Sequence, residues 1–368
     1  MGGVARVQAE GGALVAAEEA KLAAEGVVGL EAWLAARPEE AEEEAVRRVC
    51  SLATQCPLPI TFTCPTSLSA LAVLEHFRAA GLDCITGEPA AAALLLDGSH
   101  YTNPCPQHAA AFLCSPPLRG LGSPAGLVAG LVAGPLESVS SAHCARAGAA
   151  PLSGLTGAEE RMAVVHAAAV AGAGLELEQF VSLTSANTAK LLNCFPRKGC
   201  VAVGSDADLV VWEELPEPRV LGKSEHSAAP VNIFSGQEMQ GGAEWVVAGG
   251  RVVVAHYAVQ AGPGDASFVP AAAFPTCYES LPCLPEPRRV ERGPARLAQQ
   301  DRTDGAGREA EFGLTCPRGY QRPGVLNKQL GRLVTEQETR LTYNFLQGSC
   351  SVRCPPTASA TSRTRPSV

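Results

Sequence analysis

Aromatic residues are scarce in this chain, 5% of 368 positions, with 3 Met and 3 Trp. A core drawn from this composition is filled by small side chains, and a modest stability is expected from it. A basic excess is also missing: 29 Lys and Arg stand against 37 Asp and Glu, a formal net charge of −8, which argues against a nucleic-acid binder. No stretch approaches the roughly 18 uninterrupted apolar residues of a membrane span. The nearest, Gly126 to Gly134, is far too short. The start, Met1-Gly2-Gly3-Val4-Ala5-Arg6-Val7, carries no apolar run of a secretory signal, and Arg6 stands where a myristoylation signal needs Ser or Thr. The 14 cysteines include no Cys-x-x-Cys pair. Without a secretion signal they read as reduced thiols, which places the protein in the cytoplasm.

What is present is a rhythm. Hydrophobic residues make up 46% of the chain, enough for a sizeable core. Arg6-Val7 reads as a strand end, Ala13 to Glu25 as a helix, and Pro38 as the first turn of a second helix, where its missing N–H is harmless. The acidic run Glu39 to Glu44 lies at that helix's positive end, with Glu43 and Glu44 four residues before Arg47 and Arg48, so it reads as a solvated face. Leu58 to Cys64 reads as a strand, Ser67 to Ala80 as a helix, and Asp83 to Gly87 as a strand. This alternation implies an α/β fold with a parallel sheet. Helices are expected over Glu159 to Ala171 and Ser185 to Phe195, the latter capped by Thr184 or Ser185. From Val201 the pattern turns β-rich, with Gly249-Gly250 between two Val runs as a hairpin signal. Beyond Pro285 the chain is rich in Pro, Arg, Ser and Thr and reads mostly as a flexible tail, with a short amphipathic helix over Asn327 to Glu338.

Phe180 to Trp212, FVSLTSANTAKLLNCFPRKGCVAVGSDADLVVW, resembles the dihydropyrimidinase-related proteins, also called collapsin response mediator proteins, of the amidohydrolase superfamily. The G-S-D-A-D-L-V-V-W part is common to the superfamily, and T-S-A-N-T-A-K-L-L-N-C-F-P-R-K-G narrows it to the dihydropyrimidinase branch. ARVQAEGGALV (Ala5 to Val15), GEPAAAALLLDGSHY (Gly87 to Tyr101), SAHC (Ser141 to Cys144) and VNIFSGQEMQG (Val231 to Gly241) follow in the family's order. The resemblance covers Val4 to Pro275 and starts in the middle of the family's barrel. It implies three segments: residues 1–197 as the C-terminal half of a TIM-like (β/α) barrel, 198–284 as a small antiparallel β-sandwich-like unit with its return, and 285–368 as a tail.

The hydrolytic relatives hold a pair of zinc ions at the C-terminal ends of barrel strands. By resemblance, Gln8 stands at the place of a ligand His, Phe62 at that of the next, and Ala142 at that of the catalytic Asp. An amide is a weak zinc ligand, a benzyl ring offers no lone pair, and a methyl group carries no proton. These substitutions imply a pseudoenzyme with no metal and no cofactor. The expected role is a cytoplasmic adaptor in neuronal development and axon guidance. Its implied partners are tubulin and other cytoskeletal or signalling proteins, and it would form homo- or hetero-oligomers with family members. Two alternatives stand beside it: a dihydropyrimidinase-like hydrolase of cyclic amide C–N bonds, and an interfering or non-functional fragment that assembles with full-length relatives. Other residues read as structural: His143, His100 and His108 as packed or loop histidines, Asp206 and Asp208 as turn carboxylates, Cys64 as an inert thiol, Asn187 and Lys190 as cap and surface. Ser115, before Pro116-Pro117, lacks the G-x-S-x-G context of a nucleophile elbow. In the tail, Thr357, Ser359, Thr361, Ser362 and Thr364 beside Arg363 and Arg365 are candidate phosphorylation sites.

Overall fold

The computed structural model describes residues 3–281 apart from 145–154, 228, 230, 264, 266 and 280. All of the described residues fall in one compact unit. The candidate phosphorylation sites Thr357 to Thr364 and the helix expected over Asn327 to Glu338 lie outside them.

Three short strands, β1 (Ala5–Val7), β2 (Ile60–Thr63) and β3 (Ile85–Glu88), pair in parallel in the order β1-β2-β3. Val7 stands opposite Phe62, and Phe62 opposite Gly87. Parallel bridges Gly87–Leu136 and Ala90–Ser140 extend the sheet to a fourth segment, and His143–Leu155 extends it to a fifth. β2 and β3 are buried along almost their whole length, as parallel strands covered on both faces must be. The largest fully buried side chains of the sheet and its covering helices include Phe62, Leu74, Ile85, Leu127, Leu131 and Leu136.

The covering helices are α1 (Gly12–Ala24), α2 (Gly29–Ala35), α3 (Glu39–Gln55), α4 (Leu68–Ala79), α5 (Pro106–Ala111) and α6 (Ser123–Ala133). In α3 the buried residues Ala41, Glu42, Ala45, Val46, Cys50 and Ala53 recur at helical spacing and form one stripe. Its outer face carries the exposed pairs Glu43–Arg47 at 2.8 Å and Glu44–Arg48 at 3.1 Å. Pro38 differs from its expected place. It is the extended residue before α3, not its first turn. α4 starts at Ser67, whose Oγ accepts the Ala70 N–H at 3.2 Å. α6 occupies the Ala-Gly-Leu-Val stretch that is too short for a membrane span. A Cβ at Gly126 would come within 2.3 Å of a Leu68 methyl, so α6 lies directly on the start of α4.

Further along, α7 (Arg161–Val165) runs into a π-helical turn, His166–Ala171. α8 (Leu177–Val181) passes through another, Ser182–Ala186, into α9 (Asn187–Leu191). Thr184 and Ser185 therefore sit inside a continuous helix and do not cap it. The Thr184 hydroxyl donates back to the Phe180 carbonyl at 2.7 Å. The β-rich region is a four-stranded antiparallel sheet of β4 (Leu209–Val220), β5 (Glu238–Ala248), β6 (Arg251–Ala255) and β7 (Ala258–Val259), in that order. Gly249 and Gly250 close the β5–β6 hairpin at φ 55 and 81, the left-handed conformation that glycine adopts without strain. Val201 and Val203 form no strand and are fully open to solvent.

Candidate functional site at the strand ends

The C-terminal ends of the parallel strands are where a fold of this type gathers its chemistry. Gln8 follows β1 directly, Cys64 follows β2, and Glu88 ends β3. Gln8 Nε2 donates to the Ser115 carbonyl at 2.5 Å. Two residues on, Glu10 Oε2 accepts the Ser115 hydroxyl. Ser115 thus ties the β1 exit to the loop before Pro116. Burial pushes the Glu10 carboxyl above its ordinary value, and the Ser115 hydrogen bond and the Arg37 and Arg119 charges only partly oppose this. Among the described residues Glu10 Oε1 is buried without a hydrogen-bond partner. Glu10 is therefore a half-buried carboxyl whose burial raises its affinity for a proton, with one oxygen lacking a partner among the described residues.

Around it runs a charged network in which, among the described residues, the buried Arg37 Nε has no hydrogen-bond partner. The buried Glu42 carboxylate accepts Thr66 N at 2.8 Å, Thr66 Oγ1 at 2.9 Å and Ser67 N at 3.3 Å, and pairs with Arg119 Nη2 at 3.0 Å. Arg119 also donates to the Arg37 carbonyl at 2.7 Å. Arg37 pairs with Glu19 at 2.8 Å and lies over the Trp33 ring at 4.5 Å. A second network lies under β3, where Arg6 grips Glu88 with both terminal nitrogens, at 2.5 and 3.2 Å, and Ser138 adds 3.3 Å. The buried charges of Glu42, Glu88 and Arg119 are paired, which is the condition for their being there. Burial pushes the Cys64 thiol up to about 11 and the Cys114 thiol up to about 12, so neither is a thiolate at neutral pH.

Gln8 and Phe62 lie on neighbouring strands, one position out of level. Ala142 lies at the end of the fourth parallel segment, in the left-handed conformation at φ 48. All three are thus strand-end positions, and none fits a zinc pair. The Gln8 amide is engaged with Ser115, Phe62 is 1% exposed, and Ala142 has no donor atom. Next to it, His143 Nδ1 accepts the Gly157 and Ala158 N–H groups at 3.2 Å, which spends that nitrogen on a loop. Among the described residues no group of three or more His, Cys, Asp and Glu is placed to hold a metal ion. Glu10 and its link to Ser115 were missed from sequence. The signal available was a carboxylate two residues past a strand end.

The other expectations divide as follows. Asp208 Oδ1 accepts the Gly249 N–H at 2.7 Å, the turn role expected, whereas the Asp206 carboxylate pairs with the side chains of Arg197 at 2.9 Å and Lys198 at 3.0 Å. Asn187 Nδ2 donates to the Glu137 carbonyl at 2.9 Å, joining helix to sheet rather than capping. Lys190 lies over the Phe195 ring at 5.4 Å. His100 and His108 face one another on the segment after β3. No helix of the described residues is long and apolar enough to cross a membrane.

Residues 140–253 match the amidohydrolase family model. Dihydropyrimidinase 1 of Caenorhabditis briggsae is 38% identical over 304 residues, 78% of this chain and 62% of that protein. Dihydropyrimidinase-related protein 5 of Homo sapiens is 33% identical over 300 residues, 76% of this chain and 52% of that protein. A crystal structure of D-hydantoinase superposes with a TM-score of 0.70 at 29% identity, covering 74% of this chain and 61% of that one. The chain spans about three fifths or less of the length of these relatives. The fold is therefore the mixed α/β, TIM-barrel-like fold of amidohydrolases. These matches overturn one expectation. The pseudoenzyme reading took three substituted positions as decisive, whereas similarity to proteins named dihydropyrimidinase and D-hydantoinase points to an enzyme.

Proposed function

We propose that the chain, which is similar to dihydropyrimidinases and to D-hydantoinase, serves hydrolysis of cyclic amide C–N bonds, in rings of the dihydropyrimidine or hydantoin class. The observation that carries this reading is that sequence and fold agree with ring-opening hydrolases over the same three quarters of the chain. Opening a cyclic amide requires a proton for the departing nitrogen and a group that positions the attacking water. In this chain Glu10 is the residue for the proton. It sits at a strand end, burial raises its affinity for a proton, and one oxygen lacks a partner among the described residues while Ser115 fixes the other. Gln8 holds the same Ser115 segment through its side-chain amide. No step is assigned to a metal on the residues described. The test is ring opening of dihydrouracil and hydantoin by the purified chain. Glu10→Gln is expected to lower turnover by about 10²–10⁴-fold, the usual weight of a positioned acid or base. Equal turnover in both proteins removes Glu10 from the chemistry. No turnover above buffer, with or without added zinc, removes the hydrolase reading.

A second reading has its own observation. Phe62 fills a strand end with a buried ring, and a relative is named dihydropyrimidinase-related protein 5. This favours a binding role at a folded surface, toward tubulin or other chains of the family in the cytoplasm. Co-sedimentation with microtubules and co-elution with a full-length relative would read it directly.

A further inference from the structure

Ser115 lacks the sequence context of a nucleophile elbow, yet the fold brings it a base. Its hydroxyl donates to Glu10 Oε2, far away in the chain. Other hydroxyls also meet carboxylates, and their surroundings separate them from this pair. Thr66 donates to Glu42 and Ser138 to Glu88, but both hydroxyls are buried and both carboxylates are committed to arginine, Arg119 and Arg6. Ser224 donates to Glu160, and both are buried. Ser115 and Glu10 are only half-buried, next to the exposed Gln8, so a reactant can approach them. Burial also raises the proton affinity of Glu10, outweighing the nearby Arg37 and Arg119 charges. A carboxylate altered in this way is a stronger base toward a hydroxyl. The thiols of Cys64 and Cys114 are pushed up to about 11 and about 12 by burial and do not compete as nucleophiles at neutral pH.

The hydroxyl is also held in place. Gln8 Nε2 donates to the Ser115 carbonyl at 2.5 Å. The buried Tyr101 hydroxyl donates to the Phe112 carbonyl at 3.1 Å and accepts the Leu118 N–H at 3.0 Å, which pins the loop on either side of Ser115. Pro116 and Pro117 restrict φ between those points. A nucleophile and a base already in contact lower the ordering cost of attack.

We propose that Ser115 is a catalytic nucleophile with Glu10 Oε2 as its general base, and that ring opening runs through an acyl-enzyme on Ser115. The ring-opening part rests on the hydrolase reading above. Ser115 Oγ bonds to the ring carbonyl carbon while Glu10 Oε2 takes the hydroxyl proton. The ring C–N bond then breaks, and Glu10 gives that proton to the departing nitrogen. The opened ring stays as an ester on Ser115 Oγ. Water attacks the ester carbon and gives a proton to Glu10. The ester C–O bond breaks, and Ser115 Oγ recovers the proton from Glu10. Water is the one co-reactant, and nothing is oxidised or reduced.

The experiment is acid quenching of the purified full chain during incubation with dihydrouracil, with hydantoin, or with p-nitrophenyl acetate as an independent acyl donor. The peptide carrying Ser115 is then mapped by mass. A hydroxylamine-labile acyl group on Ser115 is expected, slower to form from the ester by about 10²–10⁴-fold in Glu10→Gln. Ser115→Ala is expected to lower ring opening at least about 10²-fold. The map of the wild-type peptide gives the reading even where Ser115→Ala folds poorly. Ring opening that a normally melting Ser115→Ala retains in full overturns the nucleophile and leaves the hydrolase reading standing. Acetylation of Ser115 that depends on Glu10, without opening of either ring, keeps the nucleophile and removes the cyclic-amide substrate. No acetyl group on Ser115 overturns the nucleophile, and the Ser115–Glu10 contact is then a structural tie alone.

Discussion

The two β regions of this chain use similar residues in opposite surroundings. β2, Ile60-Thr61-Phe62-Thr63, is buried at nearly every position, whereas Leu209, Val210 and Val211 at the start of β4 are 40%, 53% and 52% exposed. The difference lies in what covers each sheet. α3 and α4 pack on the parallel strands and α6 packs on α4, so apolar runs there have a destination on both faces. The antiparallel sheet is held by its ladder and by one packed face, where Trp212 lies against His166 and Phe180 and Met239 is fully buried, while the start of β4 has no such cover. A run of β-branched residues thus identifies a strand in both places, and only the neighbouring elements decide whether it is core.

This contrast sets the expected effects. Glu42→Ala leaves Arg119 buried without its partner, and a loss of about 3–5 kcal/mol is expected in a urea melt. Phe62→Ala opens a cavity in the parallel sheet and should cost about 3–5 kcal/mol. A loss below about 1 kcal/mol for either would mean the barrel part is no better packed than the β unit. In the β unit Gly249→Ala forces an L-residue into the left-handed region, at about 1–2 kcal/mol. Val211→Ala, on an open strand, should stay within about 0.5 kcal/mol.

Acid titration separates the regions by sign. The Glu10 pKa is raised above 4.5, so the stability it contributes is fully present below about 4.5 and is lost as pH rises through its folded value. Asp208, held down by Lys198 and the Gly249 N–H, does the reverse: its contribution is present above its ordinary 3.8 and is lost as pH falls through its lowered value. Melting temperature against pH should therefore decline less steeply above 4.5 in Glu10→Gln, while Asp208→Asn should flatten the curve only on the acid side. Identical profiles for the two variants would remove the distinction.

Much of the architecture was legible because its signals are local. The exposed Glu43–Arg47 and Glu44–Arg48 pairs of α3, the start of α4 at Ser67 and the Gly249-Gly250 hairpin each need only neighbouring residues, whereas Glu42, read with the solvated run, is buried because Arg119, far along the chain, pairs with it. α6 was not legible, since its Gly126 serves contact with Leu68 and looks in sequence like a helix weakener. The continuous helix through Thr184 and Ser185 was also hidden: both are good cap residues, and a tertiary fit through a π-turn overrode the propensity. At the strand ends the positions of Gln8, Phe62 and Ala142 could be read by resemblance. Glu10 could not, because its altered acidity arises from burial and from Ser115, far away in the chain.

The account rests most heavily on the strand ends being a working site, and ring opening of hydantoin by the purified chain measures that directly. Turnover that collapses in Glu10→Gln while the protein still melts as the wild type does is the result expected. A chain that leaves hydantoin and dihydrouracil intact, with or without zinc, would contradict it.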